Sequence, residues 1–75
     1  MLELQQAVSN SKKYLVEVFD EARTNGVTLE GVELSEDMKF WLVTFSYWIL
    51  TTKKYKTVKL RADDGIVLGI RPSEL

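Results

Sequence analysis

Between Leu4 and Ala22 the apolar positions Leu4, Ala7, Val8, Leu15, Val18, Phe19 and Ala22 return at spacings of three and four. Ser11 shares that stripe, while Lys12, Lys13, Glu17, Asp20, Glu21 and Arg23 fall largely off it. The pattern is that of an amphipathic helix and predicts one from about residue 3 to about residue 24. Asn25-Gly26 closes it, because glycine adopts the left-handed conformation at a helix end without steric cost.

Beyond Gly26 the period changes to two. Val27 to Leu34 alternates loosely, and Ser35-Glu36-Asp37-Met38 is a polar turn into the long run Lys39 to Leu50, KFWLVTFSYWIL. Tyr55 to Ala62 places Val58, Leu60 and Ala62 on one side; Ile66, Leu68 and Ile70 continue that side after Asp63-Asp64-Gly65. Strands are therefore expected at about 27–34, 39–50, 55–62 and 66–71, with Thr51-Thr52-Lys53-Lys54 as a hairpin loop. A three-residue loop with Gly65 at the bulge position would set Ala62 against Ile66, Leu60 against Leu68 and Val58 against Ile70. Pro72 cannot donate to a ladder and should end the last strand near Arg71. The expected fold is α+β, one N-terminal helix packed on a four-stranded antiparallel β-meander, with residues 1–75 as a single domain.

The central run is apolar on both sides. Trp41, Val43, Phe45, Tyr47 and Ile49 alternate with Phe40, Leu42, Thr44, Ser46, Trp48 and Leu50, and successive strand side chains point to opposite faces. One helix covers one face. The helix stripe should pack on Val27, Leu29, Trp41, Val43, Phe45, Tyr47, Val58, Leu60, Ile66, Leu68 and Ile70. The open face should then carry Glu30, Val32, Leu34, Phe40, Leu42, Thr44, Ser46, Trp48, Tyr55, Thr57, Lys59, Arg61, Val67 and Arg71. Exposed aromatic surface of this kind marks a place where something binds.

Composition narrows the function more than it names it. The 75 residues include no cysteine and no histidine, so disulfide stapling and the best zinc ligands are absent. The usual base and nucleophile pairs of enzymes are missing with them. Glu33, Glu36 and Asp37 cluster at one turn and Asp63 and Asp64 at another, where short acidic side chains ordinarily bond the local backbone. Gly26, Gly31, Gly65 and Gly69 fit no phosphate-binding spacing. No catalytic residue, metal site or cofactor is expected. The N-terminus, Met1-Leu2-Glu3-Leu4-Gln5-Gln6, has neither the basic start nor the apolar run of a secretory signal, which gives a cytoplasmic expectation. The apolar run around Trp41 to Leu50 is too short to span a bilayer.

The formal charge is −1, yet residues 1–37 hold three bases and eight acids while 38–75 hold seven bases and three acids, or about −5 and +4. The near-zero total argues against a dedicated nucleic-acid or membrane binder.

The helix ending in Asn25-Gly26, the strand Phe40-Trp41-Leu42-Val43-Thr44 and the stretch from Tyr55-Lys56-Thr57-Val58 through Asp63-Asp64-Gly65-Ile66-Val67-Leu68 together resemble PepSY-type domains. In that family a helix precedes a Tyr/Trp-x-Val strand and a final V-x-V-D-x-x-x-G-x-V hairpin. More broadly the order is similar to the helix-on-sheet arrangement of cystatin-like folds, and to small uncharacterised bacterial proteins with the same layout. The resemblance implies a module that binds other proteins, proteases among them.

The sequence thus leads to a small non-catalytic protein-binding module of inhibitor, immunity-like or accessory type, its partner another protein or a second copy of itself in a homodimer formed through the sheet. Phe40, Leu42, Trp48 and Tyr55 are the expected anchors, with Lys59, Arg61 and Arg71 setting orientation. The alternative is single-stranded nucleic acid stacked on the same aromatic and basic face.

Overall fold

A computed structural model describes residues 1–73. A broken helix, α1 (Leu4–Val18) and α2 (Asp20–Asn25), lies on an antiparallel sheet of β1 (Thr28–Leu34), β2 (Phe40–Ile49), β3 (Thr52–Arg61) and β4 (Val67–Pro72), in the spatial order β1-β2-β3-β4. The α+β meander is the architecture expected.

The helix differs from expectation by a break. Glu3 and Gln6 form a reciprocal capping box at the start of α1, which satisfies backbone N–H groups that the first turn leaves without partners. At the other end Phe19 adopts an extended conformation (φ −113°, ψ 106°), and the N–H groups of Ala22 and Arg23 then bond to its carbonyl to start α2. No glycine or proline stands there. The run Val16-Glu17-Val18-Phe19 is rich in residues whose χ1 freedom a helix restricts, so bending costs little locally. Bending turns Ala22 into the core and lays the ring of Phe19 beneath the Lys56 ammonium at 5.1 Å. Leu4 and Val18, at the two ends of the stripe, are left half exposed.

The core is the expected one on the central strands: Trp41, Val43, Phe45 and Tyr47 from β2 and Val58 and Leu60 from β3 close against Ala7, Leu15 and Ala22. Trp41 satisfies its indole N–H on the carbonyl of Leu2 at 3.1 Å, and the Leu2 N–H bonds the carbonyl of Ala62. These bonds pin the N-terminal segment across the end of the sheet.

The edge strands depart from the expected pattern. β1 follows β2 from Thr28↔Ser46 to Leu29↔Phe45, then resumes at Gly31↔Thr44, so Glu30 is a bulge. The extra residue reverses the alternation. Val32 and Leu34 fall opposite Val43 and Trp41 and pack on the core instead of the open face. β4 repeats the event at its own edge: Lys59↔Gly69 is followed by Leu60↔Val67, with Leu68 as the additional residue. Val67 therefore packs on the core, while Ile66 and Leu68, expected inside, stand half exposed. Of the three cross-strand pairs expected in this hairpin only Val58↔Ile70 forms. Edge strands tolerate bulges because they pair on one side only, so an unpaired residue breaks one ladder rather than two. Pro72 extends β4 opposite Lys56, on an edge where its missing N–H is harmless.

Both loops also differ. Ala62-Asp63-Asp64-Gly65 form a four-residue connection, closed by Arg61 N–H to Ile66 carbonyl and Gly65 N–H to Arg61 carbonyl, both 2.9 Å. The β2–β3 turn consists of Leu50-Thr51, since Ile49 pairs with Thr52. The residues expected as loop, Thr52-Lys53-Lys54, are strand.

Candidate functional site: the open face of the sheet

Strand parity places all seven candidate residues on the side of the sheet away from the helices. Register sets Phe40 opposite Arg61, Leu42 opposite Lys59, Ser46 opposite Tyr55 and Trp48 opposite Lys53. Thr57 lies opposite both Thr44 and Arg71. Among the described residues no helix lies on this side, because Ala7, Leu15 and Ala22 all join the opposite face.

Six of the seven divide into two ends, separated by a polar middle that holds Arg71. At one end Lys59 sits over the ring of Phe40 at 4.3 Å, next to Leu42. Arg61 there is drawn toward the loop by Asp63 and Asp64, each 3.5 Å away. At the other end Lys53 lies over both Trp48 (5.9 Å) and Tyr55 (5.3 Å) and 3.3 Å from the Glu30 carboxylate. A cation above an aromatic face is attracted by the ring quadrupole, so these lysines are held in place. Trp48 is 54% exposed, whereas Phe40, Leu42 and Tyr55 are half-buried.

The middle is hydrogen-bonded within itself. The Thr44 and Thr57 hydroxyls share a 2.9 Å bond, and the buried Ser46 hydroxyl donates to Glu30. That bond, with the Lys53 ammonium, holds the Glu30 carboxyl below its ordinary range. Lys53 is pushed the other way, mainly by the Tyr55 side chain beneath it and then by Glu30. A shallow depression between β1 and β4 is lined by Glu30, Glu33, Leu42, Thr44, Thr57 and Arg71. It carries carboxylates on one wall and a guanidinium on the other.

Glu30, expected on this face but not among its anchors, and Lys53 both take part in the site. Lys53 was expected in a loop, because a two-residue hairpin turn usually advertises itself with Asn or Gly and Leu50-Thr51 does not. The residue carrying the positive φ there is Leu50, at 56°.

Among the described residues, no group of three or more acidic side chains is arranged to hold a metal ion, and no helix is long and apolar enough to cross a membrane. Comparison with protein-family models, with curated proteins and with solved structures gives no match.

Proposed function

We propose that this protein is a small non-catalytic binding module that engages another protein, or a second copy of itself, through the open face of its sheet. One observation carries the reading: Phe40, Leu42, Trp48, Tyr55, Lys59, Arg61 and Arg71 share a single face that, among the described residues, no other element covers. Aromatic and arginine side chains supply most interface energy when desolvated, and Phe40, Leu42, Trp48 and Tyr55 offer that surface with Lys59, Arg61 and Arg71 beside it. The resemblance to PepSY-type and cystatin-like modules supports the same reading, as does the lack of histidine and cysteine.

Sedimentation velocity across a wide concentration range, on the wild type and on Leu42→Glu, tests the self-associating form. A dimer that Leu42→Glu dissolves while circular dichroism stays unchanged supports it. For a different partner, a photo-crosslinking residue at position 42 should capture a protein that the same residue at Lys13, on the exposed side of α1, does not. Monomers at every concentration, with no position-42 adduct, remove the proposal.

Single-stranded nucleic acid on the same face is the competing reading. Lys53 and Lys59 already occupy ring faces on which bases would stack, which disfavours it. Its signature is oligonucleotide affinity that falls steeply with added salt.

A further inference from the structure

The β2–β3 hairpin outruns the rest of the sheet. β1 joins β2 no further than Ser46, and β4 joins β3 no further than Lys56, apart from one bond from the Ser73 N–H to the Tyr55 carbonyl. Among the described residues, 47–54 therefore form a two-stranded arm with no neighbouring strand on either side. At its apex Leu50 is 94% exposed with φ at 56°. Leucine gains nothing from that conformation, which glycine or asparagine adopts more easily, and full exposure of its side chain gains nothing for the fold. Two local rules are broken at one residue, a pattern expected where function rather than stability sets the choice.

Charge names the counterpart. From Met38 to Ala62 there are six bases and not one aspartate or glutamate. On the arm itself Lys53 lies opposite Trp48 and Lys54 opposite Tyr47. Among the described residues, the acids in contact with the arm are Glu30, 3.3 Å from Lys53, and Glu21, on Tyr47 at its base. Met38 is a useful contrast: it too has a positive φ (61°) and an exposed side chain, but it follows Glu36 and Asp37 in its turn. Among the described residues only the arm joins an apolar apex to a cationic shaft. The overall charge of −1 hides this because eight of the eleven acids precede Met38 in the chain.

We propose that the arm docks on an anionic lipid surface, Leu50 entering the boundary of the hydrocarbon while Trp48, Lys53 and Lys54 lie among the headgroups. The spacing suits the layers. Trp48 and Lys53 stand two residues behind the apex, about 7 Å at strand rise, and the headgroup layer of one leaflet is about 5–8 Å deep. The order from the tip inward, aliphatic and then aromatic with cations, is the order in which a leaflet presents hydrocarbon, interface and anionic headgroups. The arm shares Trp48 with the open face but not Leu42, and the open face does not include Leu50, so the position-42 and position-50 tests can fail independently.

The test uses the whole chain with vesicles of phosphatidylcholine alone and of phosphatidylcholine mixed with phosphatidylserine, read by co-sedimentation and tryptophan fluorescence. The wild type should bind the mixed vesicles, weaken as salt is added, and show a blue shift that Trp48→Phe abolishes, since Trp41 is buried in the core. Leu50→Asn suits the turn and should melt no lower than wild type, yet bind about tenfold more weakly, as expected when a leucine side chain no longer leaves water. Lys54→Gln should weaken binding to the anionic vesicles alone. Absence of wild-type binding, equal binding to both vesicle types, or full binding by Leu50→Asn would each overturn the proposal.

Discussion

The phenol of Tyr47 donates a 2.9 Å hydrogen bond to the carboxylate of Glu21, fastening the base of the β2–β3 arm to α2. The contact exists because the helix breaks at Phe19 and because Tyr47, on the last stretch of β2 before the turn, faces the helices. Burial and the Glu21 charge both oppose ionisation of the phenol and push its pKa from 10.0 up to about 12. A folded-state value above the free one means that the contribution to stability is complete below about pH 10 and is lost as pH climbs toward 12. Tyr47 should ionise only as the pH nears about 12 in an ultraviolet titration, together with alkaline unfolding. Tyr47→Phe should remove that late step and cost about 1 kcal/mol at neutral pH.

Glu30 is an inserted residue, so removing it should leave the pairing intact. In a chain lacking Glu30, Leu29 and Gly31 become neighbours and every remaining β1–β2 pair keeps its face, with Val32 and Leu34 still directed at the core. The deletion should fold, with a loss of about 1–2 kcal/mol from the Ser46 contact and the altered edge. Deleting Glu33 instead reverses Leu34 and should cost more. Urea midpoints of the two deletions check the order; equal losses would contradict the assigned register.

Gly65 has φ of 77°, and a methyl group there would meet Asn10 Nδ2 and a Leu2 methyl at 3.0 Å. Both obstacles are side-chain ends and can shift, so backbone conformation dominates the cost. Gly65→Ala should destabilise by about 1–2 kcal/mol, seen as a lower Tm without a change in the far-ultraviolet spectrum.

Ser11 lies wholly buried on the helix face, with its Oγ bonded to nothing among the described residues. A buried hydroxyl without a partner costs desolvation energy, and alanine is the better helix former. Ser11→Ala should raise stability by about 1 kcal/mol, measured by chemical denaturation. A loss instead would mean that the hydroxyl has a partner after all.

Much of the fold was legible because β2 and β3 are central strands. Paired on both sides, they must keep strict alternation, so Trp41, Val43, Phe45, Val58 and Leu60 could be assigned to the core from period alone. The same parity located the six open-face residues of β2 and β3. The helix stripe was equally readable, except that nothing in the local sequence announced a break at Phe19.

By itself, the order of residues determined one helix followed by an antiparallel meander, the core of the central strands and the chemistry of the uncovered face. Tertiary structure alone decided the bulges at Glu30 and Leu68, the bend at Phe19 and the turn at Leu50-Thr51. Each depends on what lies opposite in space: an edge strand gains a residue when that seats Val32 or Val67 on the core, and a helix bends when that buries Ala22. Such gains come from contacts between residues distant in the chain, and no local period encodes them.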